Sequence, residues 1–187
     1  MNRRFAPLTV VVLLLAWSIP GWSAPMIHEI MYHPGDPEDP REEFVEIFNP
    51  DTVPVSLTGW RLRGGVDFDF PEVTIESGGF VVVVADVEVF TAKYPGVPAY
   101  GPWDGKLSNS GETLRLVDAM NEEIDELRYA DDGDWSQRVR GLEDRGHRGW
   151  IWEAAHDGTG ASLELVQPGL TNRRVSPELL SLPSHGP

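Results

Sequence analysis

Apolar residues from Met26 onward fall into short runs that are separated by clusters of glycine, proline, asparagine and aspartate. The runs recur at intervals of about ten residues, which is typical of β-sandwiches and β-barrels. The pattern therefore predicts an all-β fold. The predicted strands cover residues 26–32, 43–48, 60–63, 66–70, 79–85, 112–118, 123–129 and 161–166.

The pattern inside three of these strands predicts which faces are buried. Leu114 and Leu116 alternate with polar neighbours, and Leu163 and Leu165 do the same, so each of these strands should bury one face. Residues 81–84 are all valine, which indicates a central strand or a strand that a loop covers on its second face.

Three segments depart from the strand pattern. In residues 86–94, apolar side chains are spaced by three and four positions ahead of a Pro-Gly pair, which predicts one or two helical turns and no longer helix elsewhere. Residues 133–160 mix arginine and tryptophan with glycine and predict a long loop or an irregular hairpin. Residues 173–187 lack periodicity and are expected to be a disordered tail or the start of a further region.

The first 24 residues have the layout of a secretory signal peptide. Arg3 and Arg4 precede an apolar stretch over residues 8–17, and small residues near Ala24 suit cleavage that leaves a mature chain from about Met26. A transmembrane helix needs about 20 apolar residues, so the stretch is too short for stable membrane insertion. The sequence predicts a secreted, periplasmic or cell-surface protein.

The net charge limits the classes of binding partner, and the lack of cysteine limits how the fold can be stabilised. The formal net charge of −15 includes Arg3 and Arg4, so the mature chain carries −17. This charge repels phosphate backbones and anionic lipid surfaces, which argues against nucleic acid and membrane partners. The chain has no cysteine, so its core and not disulfide bonds must stabilise one domain over residues 26–172.

An ordered set of motifs runs through the predicted domain. In chain order they are IHEIMYHP at 27–34, EFVEIFNP at 43–50, VSLTGWRL at 55–62, FP at 70–71, TI at 74–75, GGFVVVVA at 78–85, LSNSGETLRL at 107–116 and GASLEL at 160–165. The set resembles the lamin tail domain family over about residues 26–167.

The resemblance implies an immunoglobulin-like β-sandwich with no catalytic apparatus of its own. It also implies an accessory module of exported bacterial proteins, often beside hydrolases or spore-coat-type kinase domains. After Leu170-Thr171-Asn172 the family's closing pattern, an Asn-Trp pair and a Gly-Thr-Pro-Gly-like turn, is missing. Either the last strand diverges here or the chain is part of a longer protein.

Several motif residues have physical explanations that do not depend on the family. Residues 49–51, Asn-Pro-Asp, should end a strand, and Gly59 suggests a backbone position with positive φ. Trp60 should then enter the core as its largest anchor. Residues 109–111, Asn-Ser-Gly, indicate a turn directly before the strand at Glu112.

Acidic residues suggest two kinds of site that the sequence only weakly supports. Paired carboxylates could hydrolyse glycosides, but Glu43 and Glu46 point to opposite faces of a strand, which favours a solvated face plus one acid that holds a loop. The acidic loops at 36–39 and 131–134 could bind Ca²⁺, yet neither has the full spacing of a calcium loop. Solvated turns are the simpler interpretation, and no cofactor is expected.

Other catalytic constellations are missing from the sequence. The histidines at 28, 33, 147 and 156 lack zinc spacing, and His28 lies within a strand, where a packed or hydrogen-bonded role is expected. No Gly-x-Ser-x-Gly elbow is present, and the Gly64-Gly65 and Gly78-Gly79 pairs lack the lysine of a phosphate loop. We therefore expect no enzyme activity.

Tryptophan and arginine gather in the 133–160 segment, and both residue types are frequent in binding hot spots. Aromatic rings also stack on sugars. The candidate recognition surface comprises Trp135, Arg138, Arg140, Trp150 and Trp152. The alternative is that these tryptophans close one end of the core.

Three functions follow from these observations. The first is an exported, non-catalytic binding or scaffolding module that recognises a protein or a polysaccharide. The second is the N-terminal accessory domain of a larger exported hydrolase or spore-coat-type kinase protein that continues beyond Pro187. The third is a small calcium-stabilised hydrolase, which would need acids that converge in one pocket.

Overall fold

A computed structural model describes residues 24–35, 37–132, 135–165 and 180–181. The strands in these residues are β1 (Met26–Met31), β2 (Phe44–Phe48), β3 (Val55–Ser56), β4 (Arg61–Arg63), β5 (Val66–Asp69), β6 (Thr74–Ile75), β7 (Phe80–Val84), β8 (Ala99–Tyr100), β9 (Asp104–Gly105), β10 (Glu112–Val117), β11 (Glu123–Tyr129), β12 (Gln137–Asp144), β13 (His147–Glu153), β14 (Leu163–Leu165) and β15 (Leu180–Ser181). Helix α1 covers Val87–Lys93, and a 3-10 turn covers Pro40–Glu42.

The strands form two main sheets and two small ones. The first main sheet has the order β15-β14-β1-β2-β7-β8, and the second has the order β11-β10-β4-β5-β9. All pairings within them are antiparallel except β7 with β8. The hairpin β12-β13 and the pair β3-β6 stand apart from both main sheets. The predicted all-β, immunoglobulin-like sandwich is confirmed.

The core lies between the two main sheets. Ile30, Val45 and Val83 project into it from the first sheet, and Leu62 and Leu116 from the second, and all are essentially inaccessible to solvent. Near one edge of the sandwich, the backbone N–H of Ile27 in β1 donates to Asp125 Oδ2 in β11 at 2.8 Å. The sandwich is therefore stabilised by apolar burial and by a hydrogen bond between the sheets.

A second apolar cluster lies on the outer face of the first sheet. Val82 and Val84 of β7 project to this face, where α1 covers them with Phe90. Asp86 is the N-cap of this helix, and its Oδ1 accepts from the N–H groups of Glu88 and Val89 at 2.9 and 3.1 Å. The all-valine run is therefore an internal strand of the sheet, the first of the two predicted alternatives, and helix α1 covers its outer face.

One tryptophan prediction was wrong. Trp60 is only partly buried at the margin of the core, because it precedes the first paired residue of β4. Among the tryptophans whose side chains are described, Trp103 is the buried one, with 6% of its surface exposed. Gly59 does have the expected positive φ, +75°, and Asn49 does end β2, where its buried side chain bonds to Val53, Ile75 and Glu76 carbonyls.

Other predictions differ from the structure in their bounds. The two-residue strands β3, β6, β8 and β9 were not predicted, because two residues cannot show an alternating pattern. Residues 1–23 lie outside the described residues, as do most of residues 166–187. Within that tail, Leu180 and Ser181 pair with β14, so the expected disorder of the rest stays a prediction. In the described residues, no helix is long and apolar enough to cross a bilayer.

Candidate recognition surface

The 133–160 segment contains an irregular hairpin, which was one of the two predicted outcomes. β12 and β13 pair antiparallel around the two-residue turn Arg145-Gly146. Both turn residues have positive φ, +50° and +79°, the geometry of the tight turn that matches the twist of paired strands. An extra residue in β12 shifts the register between Arg140 and Glu143, which makes the hairpin irregular near its tip.

The register brings arginine and tryptophan together in cross-strand pairs. Arg138 is paired with Trp152, and Arg140 is paired with Trp150. Residues two apart on a strand share a face, so both pairs belong to the same face of the hairpin. The guanidinium carbon of Arg140 lies 4.2 Å from the ring centroid of Trp150, a cation–π contact.

This Arg–Trp face is accessible to a partner at the positions whose side chains are described. Trp150 is 50% exposed, and Arg140 is exposed. The side chains of Arg138 and Trp152 lie outside the described residues. Tryptophan and arginine are both enriched in protein interfaces. Trp135 packs against the core, as the alternative interpretation expects, while Trp150 faces solvent, so the recognition role of Trp150 stays a prediction.

The base of the hairpin is attached to the sandwich through His156. Its Nε2 donates to the carbonyl of Trp135 at 2.8 Å, and its Nδ1 accepts from the Tyr32 hydroxyl at 2.6 Å. In the neutral ring, these partners require the proton on Nε2. Burial lowers the pKa of His156, which favours that neutral form. We call this chain of contacts, Trp135–His156–Tyr32, the hairpin anchor.

The anchor continues into a polar network at the same end of the sandwich. The rings of Tyr32 and Tyr129 lie 4.6 Å apart, and the Tyr129 hydroxyl is 2.9 Å from both the Ser108 carbonyl and Glu112 Oε1. Burial raises the pKa of both tyrosines. The Glu112 carboxylate lies so close to Gly65 that a Cβ there would be about 2.1 Å from its oxygens, so a side chain at position 65 would displace Glu112 from its bonds to Ser108 and Tyr129.

Glu43 is the most deeply buried acid in this region, with 1% of its surface exposed. Its Oε2 accepts from the N–H of Leu107 at 2.9 Å, while Oε1 has no hydrogen-bond partner among the described residues. Burial raises its pKa to about 7. This is the loop-holding acid that the sequence predicted.

The carboxylates of β2 and its flank do not converge as a catalytic pair. Glu43 bonds to Leu107 on the core side, whereas Glu46 Oε1 lies 3.0 Å from His28 Nδ1 on the outer face. A glycosidase needs two carboxyl groups that flank the same glycosidic bond of the substrate. The prediction that these acids point apart is confirmed, as is the hydrogen-bonded role of His28.

In the acidic loop before β2, carboxylates of the described residues form ion pairs with basic side chains. Glu38 bonds to Lys106 at 2.6 Å, and Asp39 bonds to Arg41 at 2.7 Å. Asp36, Gly133 and Asp134 lie outside the described residues. The described part of the chain holds no group of three or more potential metal ligands. Calcium binding by the acidic loops therefore stays untested.

Sequence reasoning missed the polar cluster on the outer face of the first sheet. A bulge in β1 between Ile27 and Glu29 brings both His28 and Glu29 beside Glu46. Regular alternation would put neighbouring residues on opposite faces. The only sequence signal was two charged or polar residues in succession within an otherwise apolar strand.

Comparison with known proteins identifies one family. A family model described as Lamin Tail Domain matches residues 22–131, which is more than half of the chain. Among curated proteins, none matches the chain significantly. The matched residues end before β12, so the Arg–Trp hairpin is outside the part that the family defines.

Proposed function

The chain belongs to the lamin tail domain family of non-catalytic, immunoglobulin-like domains, and from this premise we propose that it is an exported binding module that recognises a cell-surface polysaccharide. The Arg–Trp face of the β12-β13 hairpin is the recognition surface, and the sandwich is its support. The module itself catalyses no reaction and requires no cofactor. The ligand therefore contacts the hairpin, and the sandwich holds the hairpin as a rigid scaffold.

The observation that carries this proposal is the Arg140–Trp150 pair. Arg140 contacts Trp150 through its guanidinium, and half of the Trp150 surface stays open to solvent. An open indole face suits stacking against the C–H groups of a sugar ring. Guanidinium N–H groups beside it can donate to sugar hydroxyls.

Charge favours an uncharged polysaccharide. Four of the chain's 15 basic residues lie in the hairpin, at 138, 140, 145 and 148, but the whole chain carries −15. A polyanion would be repelled by the rest of the molecule even where arginines contact it. We therefore expect neutral chains to bind better than uronic-acid chains.

The test is binding of the purified chain to neutral and acidic polysaccharides. Chitin, a β-glucan and xylan would be compared with polygalacturonate by co-sedimentation at physiological salt. Trp150→Ala should weaken binding at least tenfold, because removal of a central aromatic contact costs about 2 kcal/mol or more. Ile151→Ala is the matched control, since Ile151 is also about half exposed, at 48%, and is adjacent on the same strand.

Two outcomes would contradict the proposal. If Trp150→Ala and Ile151→Ala had equal effects, the Arg–Trp face would not be the contact surface. If no polysaccharide bound while a cell-surface protein was captured in a Trp150-dependent way, the hairpin would be a protein-binding surface.

Export is the second part of the proposal. It rests on the basic, apolar and small-residue layout of the first 24 residues. A module that binds a cell-surface polymer must reach that surface. We propose that the mature protein begins near Met26 and acts outside the cytoplasmic membrane.

A further inference from the structure

A groove of about 470 Å³ opens on the outer face of the first sheet, away from the core between the sheets. Phe44 of β2, Phe80 of β7, and Phe90 and Tyr94 at the helix line it with aromatic surface. Its volume is in the range of ligand-binding pockets, and its lining is mostly apolar, as in such pockets. The groove is thus large enough for two neighbouring side chains of a partner.

The groove exists because the sheet edge is incomplete there. β8 is only two residues long and pairs with Val82 and Val83, so the start of β7 lacks this neighbour. Phe80 has no β8 neighbour on that side of β7. It is 49% exposed, although its ring stacks on the ring of Phe48 with 4.7 Å between centroids. A large aromatic side chain is therefore presented at an open edge.

Two carboxylates give the groove a negative charge. Glu29 and Glu46 belong to its lining, and the bulge in β1 brings them together. Burial raises the pKa of Glu29, the hydrogen bond from Ser162 lowers it, and the charges of Glu46 and Glu164 raise it further, against a smaller opposing effect of His28. Among the described residues, those that line the groove include no lysine or arginine. Lys93, which neighbours Tyr94, is paired with Glu42.

We propose that this groove binds a lysine or arginine side chain of another protein, together with an apolar residue adjacent to it. The cationic group lies against the Glu29 and Glu46 carboxylates, and the apolar residue lies against Phe80 and Tyr94. Charge complementarity selects a basic partner, since carboxylates bind cationic donors strongly in partly buried sites. Aromatic ring faces add attraction for the same cation. This protein-binding groove is independent of the proposed polysaccharide surface.

The probe is the blocked dipeptide N-acetyl-Lys-Phe-amide, titrated into residues 26–187. N-acetyl-norleucine-Phe-amide and N-acetyl-Glu-Phe-amide are its comparators, because they keep the apolar part and change only the charge. We expect a Kd of about 1 mM for the lysine peptide. The norleucine peptide should bind about tenfold more weakly and the glutamate peptide more weakly still.

Two variants locate the site. Glu46→Gln keeps an oxygen acceptor for His28 but removes the charge, so it should lower lysine-peptide affinity about tenfold and leave norleucine-peptide affinity unchanged. Glu72→Gln, in an exposed loop outside the groove lining, is the matched control. Nuclear Overhauser contacts from the peptide's phenyl ring to Phe80 and Tyr94 should confirm the position. If Glu46→Gln did not fold, the peptide series and these contacts on the wild-type chain would still decide.

Three results would overturn the proposal. Equal affinity for the three peptides would show that charge does not select the ligand. Contacts to Trp150 in place of Phe80 would assign the peptide to the hairpin. Concentration-dependent self-association that the lysine peptide dissociates would show that the occupant is a second copy of this chain and not another protein.

Discussion

At the scale of single residues, the burial of Glu43 determines its pKa. It directly precedes β2 and turns towards the core, where it accepts from Leu107 across 64 positions of the chain. A carboxylate in such a position is stabilised by one charge-assisted hydrogen bond and destabilised by the loss of water. Its pKa of about 7 shows that desolvation is the stronger effect.

Glu43 should make the fold more stable in acid than at neutral pH. Because its folded pKa is raised from 4.5 to about 7, its contribution is fully present below pH 4.5 and is lost as pH rises through 7. Glu43→Gln cannot titrate. The difference in unfolding free energy between Glu43→Gln and the wild type should therefore change by up to roughly 3 kcal/mol between acid and neutral pH.

The measurement is denaturant unfolding of both chains across that pH range. Glu72→Gln, an exposed glutamate, should follow the wild type throughout. A constant difference between Glu43→Gln and the wild type would mean that Glu43 has the same pKa in the folded and unfolded protein, which would contradict the raised pKa.

At the scale of elements, the hairpin anchor decides how firmly the β12-β13 hairpin is held on the sandwich. Tyr32→Phe removes the hydroxyl that donates to His156 Nδ1 and leaves a buried acceptor without its partner. We expect a loss of about 1–2 kcal/mol in unfolding free energy and faster proteolysis within residues 137–153. Tyr94→Phe is a suitable control, because no hydrogen bond of its hydroxyl is found in the described part of the chain.

The anchor should also weaken in acid. Burial lowers the folded pKa of His156 below 6.5, so the stability that its neutral form contributes is present above pH 6.5 and is lost as pH falls through the folded pKa. Hairpin proteolysis in the wild type should therefore accelerate as the pH falls below 6.5 and through the lowered folded pKa. Unchanged cleavage rates in Tyr32→Phe and in acid would show that other contacts hold the hairpin.

The elements also show what the sequence could and could not predict. β11 was predicted with its observed bounds, Glu123–Tyr129, and α1 fell within the predicted 86–94 segment. Both could be predicted because the spacing of apolar residues and the positions of turn residues are local properties of the sequence. The partial exposure of Trp60 and the burial of Trp103 depend on which strand ends meet across the core. The Arg–Trp pairs depend on register, and the acidic groove depends on a bulge, so composition could name the tryptophans and arginines but not their geometry.

At the scale of the whole molecule, export is the proposal that is simplest to test. Expression of the full chain in a secreting host, followed by N-terminal sequencing of the exported protein, should give a mature N-terminus near Met26. Substitution of Val11, Val12 and Leu13 with aspartate should interrupt the apolar stretch and retain the protein in the cytoplasm. Export of the substituted chain, or an intact N-terminus on the wild type, would contradict the signal-peptide assignment.

The place of the β12-β13 hairpin in the chain has an evolutionary consequence. It lies in the connection between β11 of the second sheet and β14 of the first, after the last residue that the family model matches. Its strands pair only with each other within the described residues. Mutations between residues 137 and 153 can therefore accumulate without altering the pairings of either main sheet. The connection between the two main sheets can therefore vary in sequence while the sandwich is kept.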